Sequence, residues 1–297
     1  PSAGMLFDSA TMDRVEVLKG PSSLLAGVAE PGGMLNSISK LPRPKHEATV
    51  TVRGDNWGMR RGEIDTSLPL TKRLATRLVL VRQAGDGWQQ FAWSNRTVYY
   101  GAVSFKFSDQ TRYNANIEYF DYLANPPSPR STVASSSPLA ALTWHGNGAI
   151  NGLNLNGTFI PWEFNPLGPN NRRTEHIFRG GHQIEHRFNS MVSLRVSGNF
   201  TRMHRVDRRL SGTQITTRVL NGLTIPSTDA LSSTNDDETV NTYTAQADLV
   251  GKFKYGGLSH QAILGAEYID TDDIRIRDNT PALTPYVFGA TEQPAWV

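Results

Sequence analysis

From about His46 onward, apolar and polar side chains alternate residue by residue in one segment after another, and this limits the chain's fold more than any other feature. In Thr49–Arg53 the valines Val50 and Val52 share one side, and Thr49, Thr51 and Arg53 share the other. Ile64 and Leu68 oppose Glu63, Asp65 and Ser67. Val103, Phe105 and Phe107 oppose Tyr100, Ser104 and Lys106, while Tyr113, Ile117 and Tyr119 oppose Asn114, Asn116 and Glu118. Phe178, Ile184 and Phe188 oppose Arg179, Gln183, Glu185 and Arg187, and Val192, Leu194, Val196 and Phe200 oppose Ser193, Arg195, Ser197 and Asn199. Successive side chains of a strand point to opposite faces, so these segments are strands with one apolar and one strongly polar face.

A soluble two-sheet sandwich alternates as well, and the connections separate the two cases. Short ones are expected at Leu70–Lys72, Ser108–Thr111, Asn189–Ser190 and Tyr255–Gly257. Long ones are expected over Gly85–Asn95, Tyr122–Arg173 and Arg205–Asp237. Short turns at one end and long loops at the other characterise an outer-membrane barrel, and a loop of about 50 residues is unusual in a compact soluble domain. The expected fold is all-β, a transmembrane antiparallel β-barrel that is partial, with about nine strands of roughly 10–15 residues each.

Composition agrees. Of 297 residues only 38% are hydrophobic and 19% are charged, low for a chain with a deep core but suited to a wall that meets lipid with every second residue. No apolar run reaches the ~18 residues a membrane-spanning helix needs. There is no cysteine, which excludes disulfides and cysteine metal sites. The net charge of +3 is too small to imply nucleic acid. Pro1–Gly4 shows no basic n-region or apolar core, the strand count is odd where bacterial barrels have even numbers, and Gln293–Val297 is not a strand with a terminal aromatic residue. The expectation is a chain that starts and stops within a longer protein.

Residues 1–44 read differently. Arg14–Lys19 is a short strand stopped by Gly20 and Pro21, Ser22 and Ser23 can cap a helical turn closed by Gly27, Pro31–Gly33 is a tight turn, and Met34–Lys40 is a second strand leading through Leu41–Pro44. The run Val15–Leu25, then Gly27, Pro31, Gly32 and Gly33, then Asn36, Ser39, Lys40 and Pro42, resembles the end of the plug domain of TonB-dependent outer-membrane siderophore receptors. Trp57, Gly58, Arg61–Glu63 and Asp86–Trp88 are similar to that family's first barrel strands. Two positions depart from its pattern: Ala26 stands where tyrosine is usual, and Leu41 where arginine is usual.

The resemblance implies a division into residues 1–44, the C-terminal part of a plug domain, and 45–297, the N-terminal part of a receptor barrel of about 22 strands. It gives a structural and gating role to Arg14, Glu16, Lys19, Gly20, Pro21, Gly27, Pro31, Gly32, Gly33, Asn36, Lys40 and Pro42. Basic residues at positions like Arg14 and the one held by Leu41 tend in this family to pair with barrel glutamates, and Lys40 is the substitute for the second. The implied function is active uptake of ferric siderophores, driven by the TonB–ExbB–ExbD complex through a segment absent from this chain, by a monomer surrounded by outer-membrane lipid and lipopolysaccharide in a Gram-negative bacterium.

Aromatic and basic groups suit catecholate or hydroxamate iron complexes, which makes Tyr122, Trp144 and Trp162 of the long loop, and Arg205, the candidate ligand contacts. The competing reading of the loop is an ordinary surface loop. For the cluster Arg202, Arg205, Arg208 and Arg209, contact with lipopolysaccharide competes with steering of an anionic siderophore. His182 and His186 lie on the apolar side of one strand and Glu185 on the other, which favours interfacial histidines over a metal site. Asp236–Glu238 and Asp270, Asp272 and Asp273 read as solvated loop tips before they read as calcium ligands. Neither a nucleophile elbow nor a P-loop or dinucleotide fingerprint occurs, so no catalytic residue, resident cofactor or metal is expected. The alternatives are a receptor for haem, cobalamin or a glycan, a passive porin-like barrel, and an outer-membrane enzyme.

Overall fold

The computed structural model describes residues 7–19, 33–127, 132–133, 154–155, 158–159, 161–165, 168–211, 214–220, 223–228 and 231–283. A single 3-10 turn, Ser9–Thr11, leads into β1 (Met12–Lys19), which pairs antiparallel with β2 (Gly33–Ser39) in a separate two-stranded sheet. The chain continues with β3 (Glu47–Gly54), β4 (Arg60–Pro69), β5 (Leu74–Asp86), β6 (Trp93–Lys106) and β7 (Thr111–Asn125). Three two-residue pieces follow: β8 (Thr132–Val133), β9 (Asn154–Leu155) and β10 (Thr158–Phe159). The remaining strands are β11 (Arg172–Arg187), β12 (Val192–Ser211), β13 (Gln214–Leu220), β14 (Leu223–Thr228), β15 (Leu231–Tyr255) and β16 (Leu258–Leu283).

Nine of these strands form one antiparallel sheet in the order β16-β15-β12-β11-β7-β6-β5-β4-β3, each beside its sequence neighbours. The expected all-β architecture and the count of about nine strands both hold. Short turns at 70–73, 107–110, 188–191 and 256–257 close one end of the sheet, as expected. At the other end the structure differs from two expectations. The segment expected to loop over Gly85–Asn95 is a tight turn at 87–92. Most of Arg205–Asp237 is strand, with β12 and β15 paired continuously out to Ser211 and Ser232. Charged side chains made this stretch look like loop, yet opposite charges face one another across the pairing, as at Arg205 and Glu238, and so stabilise the extended ladder. The same pairing gives β15 its 25 residues and β16 its 26, beyond the expected 10–15.

Register sorts the side chains cleanly. Val50, Val52, Ile64, Leu78, Tyr99, Ile117, Tyr119, Ile184 and Leu249 are exposed large apolar groups on one face, the one suited to lipid. The opposite face carries buried polar groups such as Arg61, Arg77, Glu118, Glu175, Arg205 and Glu238. Among them runs one apolar row. Val81, Val98, Phe120, Ile177, Met203 and Val240 stand directly opposite one another on six consecutive strands, and each is at most 3% exposed. Ala10 packs on this band. At Gly85, with φ of 151°, a Cβ would lie 2.4 Å from the Met59 Cα, so only glycine lets the top of β5 pass the turn between β3 and β4.

Phe120 is fully buried at the centre of the band. Phe120→Ala in the full-length protein is expected to cost about 3–5 kcal/mol, read as a lowered urea midpoint of the detergent-refolded barrel. An unchanged midpoint would show that the band is not packed.

Candidate functional site

Where the N-terminal segment meets the polar face, two ion clusters hold it. The first centres on Asp8. Its Oδ1 caps the Ser9–Thr11 turn by accepting the Ala10 amide at 2.9 Å. The same carboxylate receives both terminal nitrogens of Arg61, at 2.7 and 3.0 Å, and Arg96 Nη1 at 3.2 Å. Strand register accounts for this convergence: Arg61 of β4 faces Gln83 of β5, which faces Arg96 of β6. Arg61 also donates to Glu63 at 2.5 Å and to Gln83 at 3.1 Å. The Asp8 side chain is 1% exposed and that of Arg61 6%. Beside them the Arg179 guanidinium, paired with Glu118, lies 4.2 Å from the centre of the Phe7 ring.

The second cluster holds the exit from β2. Lys40 Nζ meets Asp65 at 2.8 Å, and Arg77 grips the same carboxylate through Nε and Nη2, both at 2.8 Å. Arg77 Nη1 donates to the Leu41 carbonyl at 2.9 Å, the Tyr100 hydroxyl to the Lys40 carbonyl at 2.5 Å, and the Arg43 amide to Ser67 at 2.7 Å. A polar cavity of about 370 Å³, lined by Asp13, Lys40, Glu63, Asp65 and Arg77 among others, lies between the two clusters. Residues 12–39 are thus bracketed at both ends by contacts with the first wall strands.

The structure places the sequence candidates as follows. Lys40 meets an acidic group of the wall, though an aspartate rather than a glutamate. Arg14 does not reach the wall; it pairs within its own segment with Glu16 at 2.8 Å and Asp13 at 3.2 Å, and its side chain is 57% exposed. Asn36 donates to Glu16 across the hairpin at 3.2 Å. Lys19 pairs in register with Gly33, whose φ of 120° and 2.3 Å separation between a would-be Cβ and the Leu18 oxygen demand glycine. Pro42 lies in the connection to β3. Gly20, Pro21, Gly27, Pro31 and Gly32, the expected turn at Ser22 and Ser23, and Trp144 lie outside the described residues.

Of the ligand candidates, Tyr122 and Arg205 belong to one inward row, Arg96–Tyr122–Glu175–Arg205–Glu238–Arg275. Arg205 is buried and paired with Glu238. Trp162 is half exposed on the 161–165 piece, which is tied to the 87–92 turn through Gln90 N to the Glu163 carbonyl at 2.8 Å. The four arginines do not form one cluster. Strand alternation sends Arg205 and Arg209 inward and Arg202 and Arg208 outward. Asp236–Glu238 are not a loop tip either: Asp236 is held by Arg275 at 2.7 Å and Arg277 at 2.5 Å, inside the strand pairing. Asp270, Asp272 and Asp273 likewise lie within β16. His182 and His186 sit on the apolar face as expected, His186 bonding Thr111 at 2.8 Å. Among the described residues no group of three or more His, Cys, Asp or Glu is placed to hold a metal.

Asp8, Arg61, Asp65, Arg77 and Arg96 carry the seat. The sequence hints at the wall partners only through their shared parity on the polar face, and nothing marks Asp8, whose partner Arg61 is 53 residues away. Burial pushes the Asp8 carboxyl up, but the Arg61 hydrogen bond, the Ala10 amide and the charges of Arg61 and Arg96 prevail and hold it below its ordinary 3.8. A depressed carboxylate stabilises the docked state fully above 3.8 and loses that contribution as pH falls through the lower folded value. The protection of the Ala10 and Thr11 amides, measured against their intrinsic exchange rates, should therefore be high at neutral pH and fall as pH drops below about 3.8. Arg61→Ala, which leaves Asp8 buried with only Arg96, should weaken the docked segment by about 3–5 kcal/mol and accelerate that exchange at pH 7. Slow exchange in the variant would mean that the pair does not hold the segment.

No family model matches the chain. It is 26% identical over 289 residues to the metal-pseudopaline receptor CntO of Pseudomonas aeruginosa, covering 94% of this chain and 36% of that protein. It is 32% identical over 165 residues to the ferripyoverdine receptor of the same species, covering 54% and 20%, and 22% identical over 284 residues to the ferrichrome outer membrane transporter/phage receptor of Escherichia coli, covering 89% and 35%. Among solved structures it superposes on the ferric-catecholate import receptor Fiu of E. coli with a TM-score of 0.78 at 20% identity, covering 92% of this chain and 41% of that one. The ferripyoverdine receptor of the P. aeruginosa outer membrane, bound to ferripyoverdine, gives 0.72 at 19% identity, covering 97% and 37%. The fold is that of these receptors, and the resemblance read from Val15–Pro42 holds. The relatives named are receptors and transporters. The chain spans about a third of the length of CntO and of the ferrichrome transporter.

Proposed function

We propose that this chain is the plug-to-barrel section of an outer-membrane, TonB-dependent receptor for ferric siderophores, with residues 1–44 belonging to the plug and 45–297 to the barrel. The observation that carries the reading is the seat itself. A segment that contributes no strand to the nine-stranded wall is clamped to its inner face by Asp8 with Arg61 and Arg96, and by Lys40 with Asp65 and Arg77. A passive pore has no use for such an anchored insert. A transporter whose lumen is blocked and opened on demand needs one.

Physical constraints give the mechanism its outline. No ATP is available at the outer membrane, so work must arrive as force, here from TonB–ExbB–ExbD. Pulling the N-terminal segment off the wall would break the contacts of Asp8 with Arg61 and Arg96 and the Lys40–Asp65 pair, a cost of several kcal/mol. The anchored hairpin therefore stays with the wall while other parts of the plug yield. Above it, the inward row containing Tyr122 and Arg205, with Trp162 on the piece tied to the 87–92 turn, offers aromatic and cationic groups to an anionic iron chelate. The barrel acts as a monomer set in outer-membrane lipid, and the passage involves no covalent chemistry.

A second cargo is favoured by one finding: the relative aligned over 94% of the chain is named for a metal-pseudopaline complex. In that version the receptor takes up a metal–metallophore complex.

The full-length gene containing this chain, expressed in an iron-starved strain lacking its own receptors, is expected to restore growth on defined ferric siderophores and to accumulate radiolabelled iron. Lys40→Met and Asp65→Asn should each reduce uptake several-fold at unchanged surface abundance. Rescue by haem alone, or by no iron source while other metals accumulate, would overturn the siderophore reading.

A further inference from the structure

We infer that Asn125, at the end of β7, is a positioning residue for cargo recognition. It clamps the returning leg of the long connection, residues 161–165 and 168–171, onto the 87–92 turn, and so holds Trp162 in place before any ligand arrives. The inference deepens the siderophore reading above and rests on it for what Trp162 meets. Asn125 is fully buried. Its Nδ2 donates to main-chain carbonyls of two distant segments: Phe91 at 2.8 Å, Gly168 at 3.3 Å and Pro169 at 3.2 Å.

Three more buried carboxamides tie the same region together. Gln89 Nε2 donates to the Phe164 carbonyl at 3.2 Å, and Asn165 Nδ2 to the Gln90 carbonyl at 3.0 Å. Asn171 Oδ1 accepts the Leu210 amide of β12 at 2.6 Å. One main-chain bond, from the Gln90 amide to the Glu163 carbonyl at 2.8 Å, runs between the two segments. Connections ordinarily turn their backbone groups to water. Here the carbonyls of residues 90, 91, 164, 168 and 169 are met by side-chain amides that water does not reach. A buried amide whose partner moves away is left unsatisfied, so the leg and the turn shift together or not at all. Phe91 points the same way. Its φ of 63° is disfavoured for a bulky side chain, yet this conformation presents the Phe91 carbonyl to Asn125. Such strain persists where the surroundings over-determine it.

The returning leg is therefore part of the wall rather than a free loop. Trp162, its second residue, is half exposed, while Phe164 two residues on is buried beneath it among the amides. A recognition group fixed in advance loses less conformational freedom on binding than one on a mobile segment. Asn125 thus governs affinity through Trp162, without itself touching the cargo.

The test uses the full-length receptor purified in detergent. N125D keeps the shape of the side chain and sets a carboxylate against three carbonyl oxygens. In N125D the protection of the Gln90 amide should fall at least tenfold, while that of Ala10 in the plug seat is unchanged. N165A, which removes only the bond to the Gln90 carbonyl, should act in the same direction more weakly, and it serves if N125D fails to fold. Binding is read with radiolabelled ferric tris-catecholate and ferric tris-hydroxamate complexes. For the complex that wild type binds, W162A should weaken affinity up to about tenfold, the loss of one aromatic contact. N125D should weaken it several-fold. N125D/W162A should bind within about twofold of W162A alone, because both changes remove the same contact. Unchanged Gln90 protection in N125D and N165A, or a further large loss when N125D is added to W162A, would overturn the proposal. Binding of neither complex by wild type would sink the siderophore reading and the part given to Trp162, whereas the exchange result judges the clamp separately.

Discussion

Everything described depends on strand register. Nine strands pair in chain order, and β11 with β12 runs from Arg172↔Arg208 to Arg187↔Ser193 without a break. A one-residue slip on any of them would exchange its inward and outward sets. It would put Arg205 and Glu238 into lipid, and Phe178 and Ile184 into the polar interior. Charged groups in hydrocarbon and buried apolar groups facing ions both oppose the slip, so the side chains enforce the register that positions them.

The same alternation makes the inner wall electrostatically demanding. It collects Arg61, Arg77, Glu118, Glu175, Arg205, Asp207, Asp236 and Glu238 at low exposure. Buried charges of this kind persist only when paired, and the wall pairs them across strands. Arg61 and Asp65 are the exceptions that matter: part of their pairing comes from Asp8 and Lys40, outside the sheet. The wall thus has vacancies in its charge pattern shaped for the segment that enters it. Docking is specific because a misplaced segment forfeits the Asp8 contacts with Arg61 and Arg96 and the Lys40–Asp65 pair.

How much of this could be read in advance varied with distance along the chain. Strands with apolar valine and isoleucine on one side, such as Glu47–Gly54 and Thr111–Asn125, announced themselves by period alone. The stretch Arg205–Asp237 did not, because its strand character comes from partners on a neighbouring strand rather than from apolar alternation. The hairpin of β1 and β2 was legible from its Gly-Pro and Pro-Gly-Gly punctuation. Its fastening was half legible: Lys40 was an expected basic contact, whereas Asp8 precedes the recognisable pattern and looks like any acidic residue in an irregular segment. Arg14 was expected at the wall and instead bonds Glu16, two residues along its own strand and on the same face. Arg202, Arg205, Arg208 and Arg209 read in sequence as one basic patch, and strand parity divides them between the inner and outer faces.

The apolar row from Val81 to Val240 bears on leakage. An ion entering a narrow passage sheds water only where wall dipoles or charges replace it. Six successive strands offer none at this level, although charged rows lie on either side. On this side of the lumen a stripped ion would cross a span of hydrocarbon with nothing to coordinate it, at a cost far above thermal energy. The row is therefore a break in the polar lining of the inner face: along these six strands, charge is interrupted by one level that solvates nothing.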